Sequence, residues 1–175
     1  MNYLFLDNGF EEIEAITPID LLRRADIAVT TVSVTGQRQV KGAHGIVVEA
    51  DMLMEEADCS DAEMLILPGG QTRLGERKAL CDLLLKHNEA GKMIAAICAA
   101  PAVLGQLGIL KGKQATCYPG CEESLGESYI GGLGVESKNI ITAKGPGLAA
   151  DFAFCIIEKL AGEETADRVY DTAQY

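Results

Sequence analysis

The fold is decided by the stretch MIAAICAAPAVL, residues 93–104. Its first five residues are apolar and predict a buried strand, whereas Pro101 is typical of the first turn of a helix. Cys98 then lies where the strand turns into the helix, and unpaired N–H groups and the helix dipole favour an anion there. This is the cysteine counterpart of a nucleophile elbow, although a small buried cysteine used only for packing is an equal alternative on this segment alone.

Strand-like and helix-like segments alternate along the rest of the chain. Strands are predicted at 3–6, 28–34, 64–67, 93–97 and 140–143, with a hairpin formed by 39–40 and 46–49. Helices are predicted at 11–25 with an interruption or kink near Pro18, and at 78–90, 101–107, 148–160 and 163–171. The Gly-rich stretch 111–138 predicts only short strands or loops. The alternation indicates one doubly wound α/β domain over 1–175, with a mainly parallel sheet and helices on both faces.

Composition excludes several classes of function. The 26 acidic and 15 basic residues give a net charge of −11, which opposes binding to nucleic acid or to an anionic membrane.

The sequence also bears on location and cofactors. We expect no secretory signal, because only four apolar residues precede Asp7, and no membrane span, because Pro101 and Gly105 interrupt the uncharged stretch 93–110. The six cysteines are scattered, which predicts reduced thiols in the cytoplasm. No metal-ligand spacing and no nucleotide-binding glycine motif occurs, so we expect neither a metal nor a nucleotide cofactor.

Four features follow predicted strands at their carboxyl ends. They are the acidic run containing Glu11, Glu12 and Glu14, the pair Gly69-Gly70, Cys98, and the turn Gly145-Pro146-Gly147. Ligands bind at this edge of a doubly wound sheet, so the convergence favours the reactive interpretation of Cys98. Gly69 and Gly70 can offer backbone N–H groups to a substrate oxygen.

The sequence offers few candidates for the general base that a nucleophilic Cys98 needs. The chain has two histidines: His87 is expected to be solvated on its helix, and His44 is expected in a turn or an interface. The alternative partner is one carboxyl of the acidic run, which would have a raised pKa if it were buried beside the sulfur. Periodicity does not decide which of the three acids points inward.

Taken together, these motifs resemble the ThiJ/PfpI superfamily and, within it, the DJ-1-like branch of Parkinsonism-associated protein deglycases and bacterial relatives. The resemblance rests on four segments in this order: GFEEIE at 9–14 with the helix that follows, LPGG at 67–70, AAICAAP at 95–101, and GPG at 145–147 before Asp151-Phe152. It runs nearly from end to end.

The resemblance implies a flavodoxin-like α/β sandwich that forms a homodimer. By position it implies that Cys98 is an oxidisable nucleophile, that Glu14 is the buried carboxyl bonded to it, and that backbone amides of Gly69, Gly70 and Ala99 face the site. Protease-like relatives carry His directly after the nucleophile, where this chain has Ala99, which argues against a peptidase. Animal members often have a His in the segment that corresponds to 116–119, where this chain has Tyr118, which argues against a mechanism that needs that imidazole.

Three functions remain open. The first is cofactor-free glyoxalase or deglycase chemistry on a small α-oxoaldehyde, in which Cys98 adds to the aldehyde and Glu14 moves protons. The second is a redox sensor or chaperone whose Cys98 is oxidised to a sulfinic acid. The third is a cysteine hydrolase, which needs a histidine, and only His44 of a partner subunit is available as the donor.

Overall fold

The computed structural model describes residues 1–175 and contains nine strands and six α-helices. The strands are Asn2–Leu6 (β1), Val29–Ser33 (β2), Gln39–Lys41 (β3), Val47–Glu49 (β4), Met52–Leu53 (β5), Met64–Leu67 (β6), Met93–Ile97 (β7), Gly134–Ser137 (β8) and Ile140–Ala143 (β9). The helices are Glu12–Arg24 (α1), Lys78–Glu89 (α2), Ala100–Gln106 (α3), Glu122–Leu125 (α4), Ala149–Ala161 (α5) and Glu163–Thr172 (α6).

Seven strands form one sheet in the order β5-β2-β1-β6-β7-β9-β8. Every neighbouring pair is parallel except β8 and β9 at one edge. Strands β3 and β4 form a separate antiparallel hairpin. The parallel order brings the carboxyl ends of β1, β6, β7 and β9 to one edge, as the alternation of elements predicts.

The sheet has a hydrophobic core on each face, and β1 shows how the sequence divides between them. Leu4 and Leu6 belong to one core with α1, α5 and α6, whereas Tyr3 and Phe5 belong to the other with α2 and α3. Successive side chains of a strand point to opposite faces, so a continuous apolar run indicates burial on both sides. The structure confirms the predicted α/β sandwich.

Several local details differ from the prediction. Helix α1 runs uninterrupted through Pro18. The unassigned stretch 111–138 contains α4 and the edge strand β8, and the two-residue strand β5 was missed. His87 is only 4% exposed, so the expectation of a solvated side chain is wrong.

None of the six helices combines the length and the apolar character that crossing a membrane requires.

Candidate active site

Cys98 follows β7 directly and has the backbone conformation of an elbow. Its φ is +66°, in the left-handed region that side chains other than glycine rarely adopt. The Cys98 N–H donates to the Ala143 carbonyl at 2.9 Å, and the Tyr118 N–H donates to the Cys98 carbonyl at 2.7 Å. These two hydrogen bonds hold the unfavourable conformation in place, which is typical of functional sites.

Glu14 lies against this elbow and is completely buried. Its Oε2 accepts a hydrogen bond of 2.8 Å from the Gly69 N–H, while Oε1 has no partner with good geometry. Position 69 has no room for a side chain, because an added Cβ would lie 2.7 Å from Cys98 Cβ and 2.8 Å from Glu14 Oε2. The structure therefore brings Cys98, Glu14 and Gly69 into one tight cluster.

The two titratable groups of this cluster oppose each other's charge. Burial raises the pKa of Glu14 to about 7. Burial, followed by the negative charge of Glu14 beside the sulfur, raises the pKa of Cys98 to about 12. Between these values the pair carries one negative charge and one proton, so transfer of the proton from sulfur to carboxylate gives a thiolate without a second charge.

This result corrects the expectation that the helix N-terminus biases the Cys98 thiol toward the thiolate. The N–H groups of Gly70 and Ala99 do lower the pKa of Cys98, but burial and Glu14 outweigh them. Helix α3 has only seven residues. Because a charge in a dry site is costly, a nearby proton acceptor matters more here than the dipole of a short helix.

The three backbone amides that were expected to face the site, those of Gly69, Gly70 and Ala99, have different partners in the structure. The Gly69 N–H is already bonded to Glu14, so it is not free for a substrate oxygen. The N–H groups of Gly70 and Ala99 face the sulfur. Gly70 has φ +103° and pairs with Phe10, and an added Cβ there would lie 2.3 Å from the Gly9 carbonyl oxygen. Only glycine fits this bridge between the loops after β1 and β6.

Neither histidine is bonded to the Cys98 sulfur. His44 Nδ1 lies 2.9 Å from Glu12 Oε2, and the His44 backbone N–H donates to Glu12 Oε1 at 2.7 Å. His87 Nε2 lies 3.0 Å from the Met93 carbonyl at the opposite edge of the sheet. The Glu12–His44 pairing was missed in the sequence, where only the glycines on either side of His44 hint at a loop that folds back on α1.

One group of side chains has metal-ligand character. The ligand atoms of Glu11, Glu12 and His44 lie within 4.8 Å of one another. Both oxygens of Glu12 already accept hydrogen bonds from the loop at 44–46. The group is therefore explained as a clamp between α1 and the loop that joins β3 to β4.

Tyr118 and the turn 145–147 border the site on another side. An added Cβ on Gly145 would lie 3.3 Å from the Tyr118 ring, so the ring packs closely against this turn. A shallow cleft of about 260 Å³ lies between them and includes Lys144. Tyr118 is 48% exposed and takes part in the site through its backbone N–H.

Comparison with known proteins identifies relatives over almost the whole chain. The family model described as DJ-1/PfpI family matches residues 3–159. Protein dj-1beta of Drosophila melanogaster is 37% identical over 172 residues, with 95% of this chain and 92% of that protein covered. Glutathione-independent glyoxalase DJR-1.2 of Caenorhabditis elegans is 33% identical over 159 residues, with 88% and 84% covered.

Solved structures agree with the sequence matches. The oxidised DJ-1 of Toxoplasma gondii superposes with a TM-score of 0.94 at 34% identity, covering 99% of this chain and 97% of that one. The sharply turned thiol and the buried carboxyl therefore belong to a chain that matches each of these proteins over at least 88% of its length. The chain belongs to the DJ-1/PfpI family.

Proposed function

We propose that the protein is a cofactor-free enzyme that converts α-oxoaldehydes such as methylglyoxal to 2-hydroxy acids. The observation that carries the proposal is the fully buried Glu14 carboxyl beside Cys98, with one oxygen unpartnered in the chain. Such a group can accept and return a proton without competition from water. A relative named as a glutathione-independent glyoxalase, at 33% identity, supports this choice.

The chemistry uses only these two side chains and water. The thiol proton passes to Glu14 while the sulfur adds to the aldehyde carbon C1, and Glu14 then gives this proton to the C1 oxygen, which completes a hemithioacetal and regenerates the carboxylate. The N–H groups of Gly70 and Ala99 are placed to stabilise charge beside the sulfur. Glu14 then moves the C1 proton to C2, which oxidises C1 and reduces C2. Water hydrolyses the resulting thioester, so the products are the hydroxy acid and the free thiol.

Removal of the nucleophile tests the proposal. Cys98→Ser should lower methylglyoxal turnover by roughly 10³-fold or more, because the covalent adduct no longer forms. Cys59→Ser is the matched control, since Cys59 is an equally buried thiol at the other edge of the sheet. Lactate formation is followed by NMR in highly purified samples, and full turnover by Cys98→Ser would overturn the proposal. Glycated amines in the same assay separate deglycase from glyoxalase activity.

A redox role is the second candidate, and the geometry around the sulfur favours it. Oxygens of a sulfinic acid on Cys98 would accept hydrogen bonds from Gly70, Ala99 and protonated Glu14. The Toxoplasma relative is described in an oxidised form. Mass spectrometry after graded peroxide measures this: selective oxidation of Cys98 with negligible turnover favours a sensor over an enzyme.

We also propose that the protein forms a homodimer in the cytoplasm. Ile13 and Ile16 on α1 and Ile46 and Val47 beside it are 42–57% exposed. The Ile46 N–H donates to Glu12, so the two segments lie side by side and form one apolar surface. Ile13→Glu should shift the mass measured by light scattering from dimer to monomer. All six cysteines are free thiols, in keeping with a reducing compartment.

A further inference from the structure

A groove of about 320 Å³ lies between the β8–β9 edge of the sheet and α5. Its walls are mainly apolar, and they include Val135, Ile141, Leu148 and Phe152. This volume is within the range of small-molecule sites. The groove is lined by neither Cys98 nor Glu14, so the chemistry proposed above does not account for it.

The charges around the groove are acidic. Glu136 and Asp151 line it, and Glu136 is paired with Lys159 whereas Asp151 has no basic partner. The exposed thiol of Cys155 also lines the groove. Burial, followed by the charges of Glu158, Glu136 and Asp151, raises the pKa of this thiol. Both Glu136 and Asp151 therefore belong to the lining of the groove, and Asp151 carries its uncompensated charge.

We propose that this groove binds an organic ammonium ion with a small hydrocarbon body. The apolar walls would bury the hydrocarbon part, and Asp151, the lining carboxylate without a basic partner, would face the cation. The same acidic rim would reject a carboxylate of equal size. The proposal is independent of the function of Cys98.

Cys155 provides a probe inside the groove. The rate of its alkylation by iodoacetamide is measured peptide by peptide with mass spectrometry, in the presence of benzyltrimethylammonium or of phenylacetate at equal ionic strength. We expect the cation to slow alkylation of Cys155 saturably, by about fivefold or more, and phenylacetate to change it less than about twofold. Equal protection by the two ions, or protection by neither, would overturn the proposal.

Substitutions at Asp151 and Leu133 test separately the electrostatic and the apolar part of the proposed binding. Asp151→Asn should weaken protection by the cation several-fold, whereas Asp167→Asn on α6 removes the same charge away from the groove and should not. Leu133→Ser should also weaken it, because Leu133 lines the groove and is 63% exposed, so its replacement does not disturb the core. Backbone amide shifts on titration with the cation should fall in β8, β9 and α5. Shifts confined elsewhere, or equal protection in both Asp variants, would contradict the proposal.

Discussion

Two buried thiols lie at opposite edges of the same sheet, and they differ in what surrounds them. Cys98 at the carboxyl edge is 8% exposed, and Cys59 at the amino edge is 7% exposed. Burial is the first cause that raises both pKa values, to about 12 for Cys98 and about 11 for Cys59. Burial and pKa alone therefore do not separate a nucleophile from a packing cysteine.

The difference lies in the proton acceptor. Cys98 has an unfavourable backbone conformation and the buried Glu14 carboxyl beside it. Cys59 lines a cavity of about 250 Å³ together with His87, but His87 Nε2 is occupied by a carbonyl, and Asp58 and Asp61 oppose ionisation of the thiol. A thiol in this fold becomes a candidate nucleophile when a neighbouring group can take its proton.

The largest effect that tests this comparison comes from Glu14→Gln. The amide keeps the shape of the side chain but cannot accept the thiol proton, so turnover of methylglyoxal should fall by roughly 10²–10⁴-fold. Glu12→Gln is the matched control, because Glu12 is a buried acid on the same helix that is bonded to His44 instead of to the thiol. Steady-state rates of both variants measure the difference. Equal losses in the two variants would mean that proximity to Cys98 is irrelevant.

The same two variants differ in how stability depends on pH. Burial raises the pKa of Glu14 to about 7, from 4.5. The folded protein therefore binds this proton more tightly than the unfolded chain, and the contribution to stability is complete below pH 4.5 and lost as the pH rises through 7. Between those limits wild type should lose roughly 3 kcal/mol relative to Glu14→Gln, as measured by urea unfolding.

The contribution of Glu12 to stability depends on pH in the opposite direction to that of Glu14. Although burial opposes it, hydrogen bonds from His44 and the backbone lower the pKa of Glu12. Its contribution to stability is present above the unfolded pKa and is lost as the pH falls through the folded value. In the acid range, wild type should therefore gain stability relative to Glu12→Gln as the pH rises through the titration of Glu12, before the raised pKa of His44 is reached. Parallel slopes for the two variants would contradict the assigned environments.

A smaller effect is expected from filling the space at Gly69. Gly69→Ala places a Cβ against Cys98 and Glu14, and it should cost about 1–3 kcal/mol of unfolding free energy and lower turnover as the cluster shifts. Gly147→Ala is the control, because an added Cβ there meets nothing within 4 Å. Urea midpoints and rates compare the two variants. A fully active and stable Gly69→Ala would show that the cluster is loosely packed.

Much of the fold is predictable because its signals are local. The apolar runs at 64–67 and 93–97 are strands over the predicted residues. Strand β5 was missed because it has only two residues, and β8, within a stretch predicted to hold short strands or loops, was not located because it lies half exposed where alternation is weak. The interruption predicted near Pro18 does not occur, since α1 continues from Glu12 to Arg24 and Pro18 is one of its buried residues.

The site was predictable in location but not in detail. The alternation of strands and helices and the family resemblance predicted that Cys98, Glu14 and the glycines meet at one edge, whereas long-range hydrogen bonds determine the partner of each group. The Gly69 amide bonds Glu14, which is 55 residues away, and the Glu12–His44 pair spans 32 residues. No local pattern encodes such contacts. For the same reason a polar neighbourhood at 86–89 concealed the burial of His87.

The smallest expected effect is a difference in pKa between the two histidines, which lie near the two opposite edges of the sheet. Hydrogen bonding to Glu12 raises the pKa of His44 at the carboxyl edge, whereas burial lowers the pKa of His87 at the amino edge. NMR titration of the imidazole Cε1 protons should therefore place His44 above 6.5 and His87 below it. Glu12→Gln should return His44 towards 6.5 and leave His87 unchanged, since only His44 contacts that carboxylate. If His87 titrated above His44, the amino edge would be open to solvent, and Cys59 would have a free base beside it after all.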